Sequence, residues 1–414
     1  MPARRDFRPP KDNALLIRLV FLTLPLIMRA QRVVSVQIPD EDWSRLDPLR
    51  KTRLILSANH PTGTDPLIAM ELARRLGQHF NFVAAVENFD GLRGWIIQRL
   101  GAYSIARGLP DRSSLQTTRR LLSVQDRKVA LFPEGETYYH NDITLPFQSG
   151  VTQLGFWALT DLQKLGKEPV LPIVPVAIKY CFVDDPVPEI HARLAFLEDA
   201  VGIAGGSDRR EYDRLIALGE RVASMVERQY RLPEAAGLEL DVRIMRLKEH
   251  IIERVAAEIR ETPPDGPLPE QMRFLFNALR SYSMEFVEAN SGYEQRIHQR
   301  RMEHAEPLFA DLLRLHDFLA LTGHYVRDHP TWERFADVLS RLEQEIFGRA
   351  RSWTPVEARV RIADPVRLEE WLGSYKENRK AAVGAATKLL EKRVVGLLRQ
   401  FWDAGNAMPE DGFR

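Results

Sequence analysis

The sequence predicts an α/β domain, helices packed on a central sheet, together with a large all-helical segment. Three observations carry this. From about residue 46 to 180, short apolar runs of strand length alternate with stretches of helical spacing. From 186 to 351 only helical spacing remains, dense in mixed charge. The strand pattern then returns over residues 356–365, ahead of a last helical stretch over 368–402.

The first element is an apolar run, residues 14–28, short of the ~20 residues that span a bilayer and interrupted by Arg18 and Pro25. Arg4, Arg5, Arg8, Lys11, Arg29 and Arg32 flank it. Residues 1–45 therefore read as a segment lying in a membrane interface, peripheral and on the cytoplasmic face, where anionic headgroups attract the cations. A signal peptide shares the basic start and apolar middle, but Arg29-Ala30-Gln31-Arg32 is a poor cleavage site. A helix packed on the domain is the remaining reading.

Next come a strand at Leu54, a helix from Pro66, a strand over 82–86, a helix from Leu92 and a strand at Tyr103. A helix from Ser113, a strand at Val129, a helix from Val151 and a strand near Val174 complete the alternation. The helical segment reads as residues 209–230, 242–261, 270–289, 293–326 and 332–347, jointed at Pro233 and at Thr262-Pro263-Pro264-Asp265-Gly266-Pro267. Its histidines, His298, His304, His316, His324 and His329, show no metal-ligand spacing, so no metal is expected.

The chemistry concentrates in Asn59-His60-Pro61-Thr62-Gly63-Thr64-Asp65-Pro66. The apolar run 53–58 suits a buried strand, and Pro61 and Gly63 break it before helical spacing resumes. On a continuous helix, residues five apart point about 140° away from each other, so only a turn can fold the Asp65 carboxylate onto the His60 imidazole. A carboxylate there would fix the ring tautomer and stabilise the imidazolium formed when His60 takes a proton from a hydroxyl. The plainer alternative makes Asp65 a helix N-cap, with Pro66 at the first helical position and His60 a turn residue.

Two downstream segments bear on the choice. Residues 128–136 read as a strand entering a turn, Phe132-Pro133-Glu134-Gly135, in which Gly135 takes a positive φ and backbone N–H groups face an anion. Residues 101–108 read as another strand, ending on the Arg107 guanidinium, which suits a phosphate or, as a lone arginine at a strand end, is a solvated charge. With Leu171-Pro172-Ile173-Val174-Pro175-Val176 after them, these blocks resemble, in order and spacing, the glycerolipid acyltransferase family of the lysophosphatidate or lysophospholipid type. Its pattern is Asn-His-x-x-x-x-Asp, Gly-x-x-x-x-x-Arg, Phe-Pro-Glu-Gly and a Val-Pro-Val-type strand.

The resemblance implies that His60 is the general base and Asp65 its orienting partner. It places Arg107, Glu134 and Gly135 at the acceptor end, where a glycerol phosphate is held, and Pro175 and Val176 in the wall of the acyl pocket. The donor would be acyl-CoA or acyl carrier protein, with no cofactor. The family's third block continues with Thr or Ser and then Arg; here Glu136-Thr137-Tyr138 follows, so one cation is missing and Arg107, Arg112, Arg119 and Lys179 remain. In that family a strand and a terminal helix close the domain, and residues 356–365 and 368–402 look like them. Residues 46–185 and 352–405 are thus expected to form one domain on a central mixed sheet, with 186–351 inserted; a sequential helical domain is the alternative.

Composition sets the outer bounds. The 414 residues are long enough for two or three domains, and 44% are apolar. Lys+Arg 58 against Asp+Glu 57 leaves no whole-chain charge to favour nucleic acid; membrane lipid and the acyl donor are the partners that the resemblance implies. The one cysteine, Cys181, cannot close an internal disulfide.

Overall fold

The computed structural model describes residues 7–106, 111–135, 137, 139–204, 209–233, 235, 237–284, 291–319, 324–402 and 406–409. Their contacts group into two compact units, one built from residues 6–183 and 355–404, the other centred on residues 184–354.

The first unit is α/β. Its strands are β1 (Val33–Gln37), β2 (Leu54–Ala58), β3 (Phe80–Ala85), β4 (Ala102–Ile105), β5 (Lys128–Leu131), β6 (Pro172–Phe182), β7 (Val356–Ile362) and β8 (Val366–Arg367). Its helices are α1 (Ala14–Ala30), α2 (Asp40–Leu46), α3 (Asp65–Arg75), α4 (Gly91–Arg99), α5 (Arg112–Ser123) and α6 (Gly150–Lys164). The sheet runs β1-β7-β6-β2-β5-β3-β4, with β8 also on β6. It is mixed: β2 pairs in parallel with both β5 and β6, whereas β7 and β8 lie antiparallel to β6. Ala358 to Ile362 pair with Tyr180 to Val176 across the chain's longest excursion, so the strand after the helical segment lies in the same sheet as the strand before it.

All five residues of β2 are buried, as befits a central parallel strand covered on both faces. Its side chains alternate: Leu54, Leu56 and Ala58 pack with Leu24 and Met28 of α1 and Ile68 and Leu72 of α3, while Ile55 packs with α5 and α6. Thus α3, which follows β2, covers one face, and α6, which follows β5, covers the other. Two neighbouring parallel strands whose helices leave on opposite faces open a crevice at their carboxyl ends. His60 follows the end of β2 and Glu134 the end of β5.

Three expectations change here. The segment 1–45 is not separate from the domain, because β1 pairs in parallel with β7 and α1 buries Ile17, Leu24 and Met28. Val33-Val34-Ser35-Val36 is short and was hidden behind the stronger apolar run. The strand expected over 82–86 begins at Phe80 and ends at Ala85. The terminal stretch is broken: a short 3-10 turn and a helix over Leu372–Glu377 precede Arg379–Arg399, whose N-cap is Asn378, its side chain accepting from the Ala381 N–H.

In the second unit the helices continue as α7 (Val187–Ala200), α8 (Glu211–Gln229), α9 (Leu240–Ile259), α10 (Leu268–Met284), α11 (Gly292–Leu319), α12 (His324–Arg327) and α13 (Trp332–Phe347). In chain order α14 (Leu372–Glu377) and α15 (Arg379–Arg399) follow in the first unit. Ile251, Val255, Leu275, Leu279, Leu308 and Leu312 form the core of α9–α11. Not all of the dense charge is solvated: Arg214 clasps Glu198 at 2.9 and 2.7 Å and Arg243 clasps Glu227 at 3.1 and 2.7 Å, both pairs buried between helices.

Candidate active site

The turn after β2 brings the histidine and aspartate together. His60 Nδ1 and Asp65 Oδ2 are 2.6 Å apart, with Asp65 fully buried and the His60 side chain 17% exposed. Asp65 does not cap α3. Thr64 is the N-cap and Asp65 the first helical residue, its carboxylate turned back over the loop it follows. Oδ2 also accepts the Thr62 N–H at 2.9 Å and Oδ1 accepts the Tyr180 hydroxyl at 2.6 Å, while the Thr62 hydroxyl lies 2.6 Å from the Thr64 hydroxyl and 3.1 Å from Oδ1. A buried carboxylate needs such partners to remain ionised.

The turn after β5 supports the histidine from below. The His60 ring stacks on Phe132, centroids 4.2 Å apart at 17°. Glu134 Oε1 accepts the His60 backbone N–H at 2.7 Å and Oε2 accepts the Leu145 N–H at 3.0 Å. Burial pushes the Glu134 carboxyl up to about 7, against the opposing pull of its two backbone donors. Gly135 has φ +80, the positive value expected to be open to a glycine in this turn. Its N–H, however, donates to Phe132 O at 3.1 Å, so this donor closes the turn and does not face an anion.

β6 forms the third wall. It runs past the end of β2, whose last pair is Ala58 with Val176. Beyond it, Asn59 bonds Ile178 by both its amide atoms, accepting from N–H at 2.7 Å and donating to C=O at 2.9 Å. Asn141 treats Tyr180 likewise, accepting its N–H at 2.7 Å and donating to its carbonyl. Pro175 and Val176 are buried strand residues, Val176 packed in the core on the α1 and α3 face. Lys179 is fully buried with Asp142 at 2.8 Å, and Arg119 grips Asp161 at 2.9 and 2.8 Å, so neither charge is unmatched. Arg112 is exposed at the start of α5. Arg107 and Glu136 lie outside the described residues.

The structure therefore joins His60, Asp65 and Glu134 through direct hydrogen bonds, with Gly135 in the turn beneath. Sequence reasoning missed Tyr180, Phe132 and Thr62. Tyr180 carried a signal, since Val174, Val176, Ile178 and Tyr180 alternate on the face that meets α3. With Nδ1 directed at a carboxylate, the ring proton belongs on Nδ1 and Nε2 is left as the acceptor. Among the described residues no three His, Cys, Asp or Glu side chains group as metal ligands. Residues 40–179 match the family model described as Acyltransferase. No curated protein matches the chain.

Proposed function

We propose that the protein, whose residues 40–179 match the acyltransferase family model, moves a fatty acyl group from acyl-CoA or acyl carrier protein to the hydroxyl of a lysophospholipid, foremost 1-acyl-glycerol-3-phosphate. The observation that carries the mechanism is the 2.6 Å contact of His60 Nδ1 with the buried Asp65 carboxylate. His60 Nε2 takes the acceptor's hydroxyl proton as the oxygen attacks the thioester carbon. Asp65 stabilises the imidazolium so formed. The C–S bond then breaks, and the thiolate leaves with the proton that His60 returns.

With Lys179 and Arg119 paired to carboxylates and Arg112 exposed at the start of α5, neutralising a phosphate falls mainly to Arg107. That pairing favours a second reading, in which the acceptor is a different lysolipid or an amino-lipid. A catalytically idle lipid-binding protein would have no use for a histidine and aspartate so held.

Helix α1 supports a peripheral place on a membrane. It turns Leu15, Leu19, Leu22 and Leu26 outward, all more than half exposed, while Ile17, Leu24 and Met28 face the core. No described helix is long and apolar enough to cross a bilayer. Lys11, Arg18, Arg29 and Arg32 along and beside the stripe suit anionic headgroups.

Thiol release from a panel of acyl-CoA and acyl carrier protein donors, with lysophosphatidate and other lysolipids as acceptors, tests the reading. Acceptor-dependent release that His60→Ala abolishes is expected. Release that persists undiminished in His60→Ala overturns the mechanism.

A further inference from the structure

We propose that Tyr180 is a positioning residue for the His60–Asp65 pair, fixing the carboxylate through Oδ1 and withdrawing part of its charge from the imidazole. The inference rests on the reading of His60 as the base. Its grounds are geometric.

Tyr180 stands on the part of β6 that overhangs the end of β2. An overhanging strand leaves backbone donors and acceptors unpaired on its open side, at a cost when they are buried. Here two side-chain amides take the place of the missing strand, Asn59 at Ile178 and Asn141 at Tyr180. On the other side Tyr180 pairs with Ala358 of β7. The N–H and carbonyl of Tyr180 are thus both taken by Asn141, with Ala358 beside the tyrosine in the ladder on the other edge.

From there the phenol reaches Asp65 Oδ1 at 2.6 Å, and the Thr64 hydroxyl donates to the phenol oxygen at 3.0 Å. The result is a short relay, Thr64 to Tyr180 to Asp65, running to the carboxylate oxygen that His60 does not use. A donor that itself accepts a hydrogen bond is polarised and donates more strongly. Burial and the Asp65 charge hold the phenol well above its ordinary pKa, so it remains a donor throughout the neutral range.

The consequence for His60 has a definite sign. Hydrogen bonds to a carboxylate stabilise its charge locally. The more charge the phenol draws to Oδ1, the less Oδ2 offers to an imidazolium. Removing the phenol hydroxyl should therefore raise the affinity of His60 for a proton, whereas removing the carboxylate charge should lower it. Other titratable groups around the pair do not reproduce this pattern. Glu134, from the turn after β5, meets His60 through its backbone N–H. Lys179, beside Tyr180, is turned to Asp142 and the Phe401 carbonyl. Further along α3, Glu71 is matched by Arg74 and Arg75.

The test compares the wild type with Tyr180→Phe, Thr64→Val, Asp65→Asn and His60→Ala, following turnover against pH and, separately, the titration of the His60 imidazole by NMR on labelled full-length protein. In Tyr180→Phe the acid limb of kcat/KM and the imidazole titration should both move up by about half a unit or more. kcat should fall about tenfold, with KM for donor and acceptor little changed. Thr64→Val should shift the titration the same way by less, and Asp65→Asn the opposite way. A merely structural tyrosine would lower the folded fraction without moving the titration. If His60→Ala is inactive while Tyr180→Phe titrates as the wild type does, the inference about Tyr180 falls and the base assignment stands. If His60→Ala remains active, the base assignment itself falls. Should Tyr180→Phe fail to fold, Thr64→Val decides, and an unmoved or lowered imidazole titration overturns the proposal.

Discussion

Glu134 holds His60 by its backbone: Oε1 accepts the His60 N–H at 2.7 Å while Oε2 accepts that of Leu145 at 3.0 Å, so one buried carboxylate ties the turn after β2 to the loop after β5. Burial raises its pKa to about 7. An acid raised in the folded state favours folding at low pH and loses that advantage as pH rises from the unfolded value through about 7. Between pH 8 and pH 5 the wild type should gain on the order of 2 kcal/mol from this group. Glu134→Gln should lack that gain and lose activity at every pH, because an amide cannot accept from both N–H groups. Urea unfolding at the two pH values measures it, and identical pH dependence in wild type and variant would refute it.

His60→Ala should lower kcat by about 10²- to 10⁴-fold with the fold preserved, since it removes a positioned base. The fold should tolerate the loss because the His60 side chain is part-exposed and stacks on Phe132, itself only half-buried at the edge of the core. Asp65→Asn should also be severe. An amide at Oδ2 could present a donor to Nδ1 and shift the ring proton to Nε2, where the base must be free. Steady-state kinetics beside circular dichroism separate the two effects.

The parts of this molecule legible in the sequence are those that rest on local chemistry. Pro61 and Gly63 broke the strand, and the spacing of His60 and Asp65 required a turn, which the structure supplies. The short, near-continuous apolar runs at Leu54, Val129 and Val174 marked central strands because both faces of each are buried. Long-range pairings were not legible. Nothing near Val33 announces that it pairs with Val356. Nothing in Glu134 says that its oxygens meet the backbone of residues 60 and 145, since a carboxylate's partners depend on where two distant turns converge. The break at Asn378 was hidden because helical spacing continues on either side of it.

Gly135→Ala should cost about 1 to 3 kcal/mol in stability. Gly135 sits at φ +80, and a Cβ there would lie 2.1 Å from Gln148 Nε2. That nitrogen donates to the Glu134 carbonyl at 2.8 Å, so moving it loosens the turn that carries Glu134. Gln148→Ala alone forfeits the hydrogen bond but clears the space. The double variant should therefore be less unstable than the sum of the two singles, and strict additivity in thermal or urea unfolding would show that the clash does not matter.

Leu19→Asp with Leu22→Asp should release the protein from anionic vesicles. These side chains are 57% and 81% exposed on the outer face of α1, so the substitutions leave the core untouched while placing two negative charges where headgroups are expected. Losing two leucines and adding two like charges should weaken vesicle binding at least tenfold. Co-sedimentation with phosphatidylglycerol vesicles, beside an unchanged melting temperature, checks it. Equal binding by wild type and variant would remove α1 from the membrane.

The proposed phosphate-bearing acceptor is tested at Arg107, since Lys179 and Arg119 already face Asp142 and Asp161. If the acceptor carries a phosphate, Arg107→Ala should raise its KM and cost on the order of 2 to 5 kcal/mol in kcat/KM. The donor's KM should move far less. Arg107→Lys should rescue only in part, because an ammonium cannot reproduce a bidentate guanidinium contact. Arg112→Ala serves as the comparison: Arg112 is exposed at the start of α5, and its loss should change acceptor KM little beyond a salt-dependent effect. If Arg107→Ala leaves turnover of lysophosphatidate intact while a zwitterionic or neutral lysolipid proves the better acceptor, the phosphate assignment fails and the second reading replaces it.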